Sequence, residues 1–280
     1  MKIKFWGTRG SIPVPGPETI KYGGNTTCLE ARLADNTLII FDAGTGMKNL
    51  GQEILSHNGI TDINLVLTHS HWDHIQGFPF FGPANKEDVN INVLGCPGTY
   101  FKLRKILTDQ MEFKYFPVTF AALKSHISFK EISNGEHPIG PAQLSFIELN
   151  HPGTAYGFKV VEGDARFVFL TDNELKPPPP IKTPWQKFVQ FCEDADILVH
   201  DAMYTNEELQ SKKGWGHSSM EQVIELATTA NVKKVILSHH SPERSDQELE
   251  DIFNETLKKM DIEDTQTTVF LAKEGDEYFI

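Results

Sequence analysis

What most limits the folds open to this chain is a series of ten short runs, none longer than nine residues, rich in β-branched and aromatic side chains. They lie at 2–6, 37–44, 63–69, 89–95, 142–149, 155–163, 165–172, 196–202, 233–240 and 267–272. Runs of this length, bordered by Gly and Asp, read as strands, because a helix needs a longer pattern at a 3.6-residue period. Helical signals are fewer. Ser218 stands three residues before Glu221, and Ser245 three before Glu248, which predicts a capping box at the start of each of two helices. A third helix is predicted over 99–111. Strands crowd the first part of the chain and alternate with helices later. That order predicts two mixed β-sheets packed face to face with helices on their outer faces.

With 280 residues and no repeat, residues 1–280 read as one domain. The proline-rich segment "KPPPPIKTPW" at 176–185 offers few backbone donors and predicts an extended surface loop. No run approaches the 18 or so apolar residues of a membrane span. The opening "MKIKFWGTRGSIP" turns polar too early for a signal peptide, so the expected compartment is the cytoplasm. Cys28, Cys96 and Cys192 are widely spaced and odd in number, which predicts free buried thiols with no disulfide framework. Acidic residues number 38 against 26 basic ones, a net charge of −12. Such a surface repels a long polyanion, though cations bound in one cleft can still draw in a small anionic substrate.

Several runs end in metal-binding side chains: Asp42, the heptapeptide "THSHWDH" at 68–74, His151, Asp172, Asp201 and His239. A lone histidine among 11 is more often an ordinary core or surface residue. An ordered series after separate strands is different, because strand ends at one sheet edge converge in space. His69 and His71, two apart in a tight turn, can both face one ion of zinc size. Asp73 and His74 project differently and suit a second ion, with Asp172 the natural carboxylate to bridge the pair. Trp72 is expected beneath the turn, holding His71 and Asp73 apart. Arg9 and its neighbouring glycines fit either the metal edge or a purely structural turn.

"HSHWDH" resembles the H-x-H-x-D-H signature of the metallo-β-lactamase superfamily, and "FDAGTG" at 41–46 resembles that family's early aspartate-glycine motif. His151, Asp172 and His239 follow in the family's order, over essentially the whole chain. The resemblance implies an αββα sandwich and two zinc ions, with manganese as the other metal of suitable chemistry. It assigns one ion to His69, His71, His151 and Asp172 and the other to Asp73, His74, Asp172 and His239, with Asp42 orienting a ligand from behind. Ile75-Gln76-Gly77 stands where the family often has Gly-Gly, a change that leaves the ligands intact. An intact third histidine points away from secreted β-lactam-hydrolysing enzymes, and His71, where diiron flavoproteins of the superfamily carry a glutamate, points away from redox work.

Two further motifs are similar to those of tRNase Z-like phosphodiesterases. "VHDAMY" at 199–204 looks like their His-Glu-Ala-Thr loop with Asp201 in place of the glutamate, and "GWGHSS" at 214–219 looks like their Gly-His-Ser-Thr motif. The resemblance implies phosphodiester cleavage: Asp73 as ligand and orienter of the nucleophile, His217 as proton donor to the leaving alkoxide, and Asp201 holding His217. The arm that grips tRNA in bacterial tRNase Z would fall between His151 and Asp172, where only 20 residues intervene. That gap, the net charge and the opening "KIKFWGTRGSIPVPGP" resemble enzymes acting on small cyclic phosphates, such as the anti-Pycsar phosphodiesterases. The expected substrate is therefore a small phosphodiester, a 3′,5′-cyclic nucleotide first, opened to the nucleoside monophosphate. The alternatives are a cyclic ribose phosphate, an RNA 3′ end, or noncatalytic ligand binding on the same scaffold. No long nucleic acid or membrane is expected as a partner, and the resemblance implies a homodimer. Phe78, Phe80, Phe81, Phe113, Tyr115, Phe116 and Phe120 are candidates either for holding a base or for filling the core.

Overall fold

The computed structural model describes residues 1–56, 59–97, 100–132, 135–260, 262 and 265–280. Its strands divide along the chain. β1 (Lys2–Gly7), β2 (Cys28–Arg32), β3 (Leu38–Phe41), β4 (Asp62–Val66), β5 (Asn90–Gly95) and β6 (His126–Glu131) lie side by side in that order. β7 (His137–Ile139), β8 (Ala142–Glu148), β9 (Tyr156–Glu162), β10 (Ala165–Leu170), β11 (Ile197–Asp201), β12 (Lys234–Ser238) and β13 (Thr268–Leu271) make a second sheet of seven, again in sequence order. The chain then returns through β14 (Glu277–Phe279), which pairs antiparallel with β1 and brings the first sheet to seven strands. Each sheet is mixed: β3 to β6 run parallel in one and β10 to β13 in the other. Parallel neighbours need crossovers, and most of these are helical.

β3 shows why its apolar run is unbroken. Its four residues are all buried; Ile39 and Phe41 join the layer between the sheets, while Leu38 and Ile40 join the layer under the outer helices. A strand covered on both faces has no use for polar alternation. Phe41 packs against Phe158, Phe167 and Phe169 of the opposite sheet, with ring centroids 5.4–5.9 Å apart. Full burial of each such ring stabilises the fold by roughly 1.5–3 kcal/mol. Outside the first sheet lie α1 (Met47–Ser56) and α2 (Tyr100–Asp109), contributing Met47, Leu50, Ile54, Leu103 and Leu107. Outside the second lie α3 (Trp185–Cys192), α5 (Met220–Thr229) and α6 (Asp246–Lys259), which bury Phe188, Val223, Leu226 and Leu249; the single-turn α4 (Asn206–Leu209) packs on α5. The four layers are the αββα sandwich anticipated from the sequence.

Local details differ. The predicted capping box at Ser245 forms, with Glu248 reaching back to the Ser245 amide at 2.8 Å. The one at Ser218 does not. Ser219 caps α5 instead, because the Ser218 hydroxyl is spent on Asn173 O and the Leu175 amide, and Glu221 accepts from the Asn206 amide. β2, β6, β7, β14, α1, α3 and α4 go beyond the sequence prediction. β2 hides in polar sequence because buried Glu30 is paired with Arg32 and with Trp6 Nε1. The helix expected over 99–111 runs Tyr100–Asp109, and residue 99 lies outside the described residues. All three cysteines are buried and free. Among the described residues no helix is long and apolar enough to cross a membrane.

Candidate metal centre

One edge of the sandwich gathers the C-terminal ends of β3, β4, β8, β10, β11 and β12, and the candidate ligands, Asp42 and Asp201 sit at or just beyond those ends. Three do so in a backbone conformation that L-residues avoid: Asp42, Asp172 and His239 have φ of 62°, 57° and 57°. A left-handed non-glycine residue costs roughly 1–2 kcal/mol. The strands therefore end in three strained turns that swing carboxylate and imidazole groups off the sheet edge into a common space.

In that space two four-residue sets form, beside a third group of Asp201, His217 and His239. Single donor atoms from His69, His71, His151 and Asp172 lie within 4.8 Å of one another, as do those from Asp73, His74, Asp172 and His239. Asp172 belongs to both, and its oxygens divide between them. Oδ2 lies 3.6 Å from His69 Nε2 and 3.8 Å from His151 Nε2, while Oδ1 lies 3.2 Å from His74 Nε2 and 3.0 Å from His239 Nε2. Asp73 Oδ2 stands 3.3 Å from both His74 Nε2 and His239 Nε2. Apart from His71, which is exposed, every one of these residues is buried.

Whether such a nest fits metal ions is decided by its hydrogen bonds. His74 Nδ1 is bound to Asp42 Oδ2 at 2.8 Å, His151 Nδ1 to Gly216 O at 3.0 Å, and His69 Nδ1 to Thr68 Oγ1 at 3.0 Å. Thr68 Oγ1 itself donates to Asp42, so it accepts from His69. Each Nδ1 thus donates outward and each Nε2 faces inward, the arrangement that orients metal-binding histidines. The Nε2 atoms of His69 and His74 are buried without a hydrogen-bond partner. Their spacing explains this: donors at about 2.1 Å from one tetrahedral ion stand roughly 3.4 Å apart, too far for a strong hydrogen bond. The residues fit divalent-cation binding, with Asp172 common to the two sets.

Charge points the same way. Burial pushes His69 well below its usual range, and pushes His151 down to about 4 against the pull of Asp172, so both rings are neutral, as metal binding requires. Burial would also strip His74 of its proton, yet Asp172, Asp73 and Asp42 outweigh it and hold the ring well above its usual value. Three carboxylates around one imidazole demand a positive charge at that point. Asp73 and Asp172 are both kept well below the usual carboxylate range, burial being overcome by the surrounding histidines.

His217 sits beside this nest, its ring stacked on His239 at 5.1 Å and 20°. Its Nδ1 bonds Asp201 Oδ2 at 2.8 Å. Asp201 is fully buried and also accepts from the Asn173 and Met203 amides, which fixes the carboxylate's aim. Burial alone would lower the pKa of His217, but Asp201, with Asp172 and Asp73 behind it, pushes it up to about 9.

Other supports were not legible as functional residues. Ser11, itself left-handed at φ 63°, donates its amide to Asp73 Oδ2 at 2.8 Å. Gly10 packs against the His239 ring so closely that a Cβ would fall 2.4 Å from it. Buried Glu174 accepts the amides of Gly214 and Gly216, and Asn150 ties residues 182–183 to the strand end before His151. The only hint was adjacency, since Asn150, Asn173 and Glu174 flank His151 and Asp172. His200 and His240 are buried outside both donor sets. The proline segment borders a cavity of about 330 Å³ shared with His151, Gly214 and Gly216.

Trp72 overturns the expectation of a buried wedge: it is 81% exposed, because His71 is the extended residue entering a short 3-10 turn that turns the indole outward. Arg9 resolves as structural, fully buried and bonded to Gly23 O, Ser241 O, Arg244 O and Asp246. Of the aromatics, Phe78 and Phe81 fill the core, whereas Phe80, Phe113 and Tyr115 are exposed.

The Beta-lactamase superfamily domain matches residues 37–240. A ribonuclease Z of Staphylococcus haemolyticus is 24% identical over 280 residues, covering 86% of this chain and 89% of that protein. Among solved structures, the metallo-beta-lactamase fold protein YhfI from Bacillus subtilis aligns with a TM-score of 0.72 at 17% identity, covering 99% of this chain and 98% of that one. A diphosphatase of the PhnP family gives 0.69 at 17% identity, covering 100% and 97%, and the short form of human tRNase Z gives 0.67 at 20% identity, covering 100% and 99%.

Proposed function

The chain belongs to the metallo-β-lactamase superfamily, and from that premise we propose that it is a dinuclear-metal phosphodiesterase of the tRNase Z-like branch. The observation that carries the reading is Asp172, whose two oxygens face two separate histidine sets, with the His217–Asp201 pair alongside. Two zinc ions suit the mixed nitrogen and oxygen donors, and manganese is the second choice. When bound, such a pair neutralises a diester's charge and makes water a nucleophile near neutral pH.

The chain's own residues supply the rest. Asp73, held through Oδ2 by the Ser11 amide and beside His239, orients the attacking water. His217 carries a proton on Nε2 because Asp201 holds Nδ1, and it gives that proton to the departing alkoxide. Removing the acid leaves an unprotonated alkoxide, a far poorer leaving group.

On substrate, relatives named ribonuclease Z and a PhnP-family diphosphatase support a general phosphodiester hydrolase, including one acting on RNA 3′ ends, better than a dedicated cyclic-nucleotide enzyme. Between His151 and Asp172 there is only the hairpin of β9 and β10, with no arm to grip a tRNA body, and the net charge is −12. These favour a small or short phosphodiester, with 3′,5′-cyclic nucleotides as the narrower reading. A homodimer in the cytoplasm completes the proposal; the buried thiols suit a reducing compartment, and sedimentation tests the dimer.

The decisive experiment is hydrolysis of bis(p-nitrophenyl) phosphate, with activity lost to chelator and in Asp73→Ala. A screen of 3′,5′- and 2′,3′-cyclic nucleotides and short RNA 3′ ends then ranks substrates. If zinc- or manganese-loaded protein cleaves none of them, the phosphodiesterase reading fails.

A further inference from the structure

The turn that presents the candidate ligands also presents an apolar groove. Ser70 and Trp72, which alternate in sequence with His69, His71 and Asp73, line a cavity of about 620 Å³ together with Ile75, Gln76, Phe80 and Tyr115. That volume is within the usual range for a small-molecule site. Trp72, Phe80 and Tyr115 are 81%, 60% and 72% exposed. Phe80 is braced edge-on by Phe116 at 5.3 Å and 78°, so the aromatic wall has a fixed orientation. Water-facing aromatic surface on this scale usually marks a binding site.

The groove's polar groups narrow the occupant. Its acid, Asp109, is neutralised by Lys105 at 2.6 Å, so the groove offers no unpaired charge to attract or repel a phosphate. Gln110 also lines it, and Gln110 Nε2 is buried without a hydrogen-bond partner. A buried donor left unpaired costs about 1–3 kcal/mol, a cost that an incoming acceptor removes. The matching ligand is flat, aromatic and uncharged, with an acceptor on its edge, and Ser70 and Trp72 of the groove are chain neighbours of the groups proposed to hold phosphate.

We propose that this groove is a nucleobase subsite: Trp72 stacks on the base of a nucleotide substrate whose phosphate lies at the candidate metal centre, and Gln110 Nε2 donates to the base edge. The inference rests on the phosphodiesterase reading and deepens it, because it makes the substrate a nucleotide instead of any small diester.

Calorimetric titration of the zinc-loaded full chain with adenosine 5′-monophosphate and with ribose 5-phosphate tests it, since the two ligands share the phosphate and differ in the base. The nucleotide is expected to bind about tenfold more tightly, the factor a single base stack supplies. Trp72→Ala should abolish that ratio, Trp72→Phe should keep most of it, and Gln110→Ala should reduce it, with zinc content unchanged in all three. Equal affinities in the unsubstituted protein, or a ratio untouched by Trp72→Ala, would overturn the subsite. So would a dimer in which Trp72 is shielded from acrylamide quenching, which would give the groove to a second copy of the chain. An enzyme inactive on every diester but retaining the affinity ratio would instead sink the reaction and leave the subsite.

Discussion

Gly216→Ala is a sharp test of how the centre is built. Gly216 has φ of +87°, and a Cβ there would lie 2.2 Å from His151 Nδ1 and 2.5 Å from Pro152 Cδ. Ordinary contact begins near 3.4 Å, so the imidazole must retreat by 3.4 − 2.2 = 1.2 Å, breaking its bond to Gly216 O. Left-handed alanine costs roughly 1–2 kcal/mol and the overpacking about 1–3 more. For function, a displacement on the order of 1 Å is worth about 100-fold in rate. Only the donor set that contains His151 should be damaged, so metal analysis is expected to find one ion lost and one kept. Gly214→Ala is the matched control. It has the same φ of +87° but its nearest neighbour, Pro178 Cγ, is 3.7 Å away, so it incurs backbone strain without the clash. Thermal unfolding, metal stoichiometry and turnover on bis(p-nitrophenyl) phosphate should separate the pair. If Gly216→Ala matched Gly214→Ala in both metal content and turnover, His151 would not be a ligand and the two-set geometry would be refuted.

Other expectations follow from the same geometry. His217→Ala should lower kcat by about 10²–10⁴-fold with little change in metal content. In Asp201→Asn the alkaline limb of the kcat profile should move to lower pH, because the lost carboxylate charge is what favours imidazolium in His217. Removing metal with chelator should lower the melting temperature, since bound ions stabilise only the folded state; an unchanged melting temperature would argue that no ion was held. His240, with burial the main cause and Arg9 and Arg244 adding to it, is pushed down to about 3. The unfolded chain therefore takes up a proton that the native state refuses between pH 6.5 and 3, and stability is full above that window and falls as pH drops through it. The loss is about 2 kcal/mol at pH 5, and His240→Gln should flatten that slope in urea titrations. Phe41→Ala should cost about 3–5 kcal/mol by opening the layer between the sheets, read as a fall in urea midpoint.

Much of this is legible because ligand chemistry and strand ends are local signals. A histidine after "SFIELN" or an aspartate after "FVFL" announces itself without knowledge of the fold, and β-rich runs with Gly and Asp borders are long enough to read as strands. What stays hidden depends on distant partners. Glu30 in β2 looks unlike a strand residue until Trp6 and Arg32 are seen to satisfy it. Ser218 looks like a cap because Ser-x-x-Glu is a local pattern; its hydroxyl is already claimed from 45 residues away by Asn173. Trp72 belongs inside by the usual habit of indoles, and only the geometry of the 3-10 turn turns it out. Ser11 contributes a backbone amide, for which a side-chain pattern carries no signal.

The left-handed turns at Asp42, Asp172 and His239 have a consequence for anyone who breeds this protein for robustness. Glycine at any of the three relieves the backbone, and at each it deletes a group of the candidate centre. At Asp42, however, the exchange strands the Thr68 amide, the Thr68 hydroxyl and His74 Nδ1 at about 1–3 kcal/mol apiece, more than the relieved backbone returns, so even a screen for heat resistance alone would keep that corner. Selection on turnover would keep the three tense corners in place.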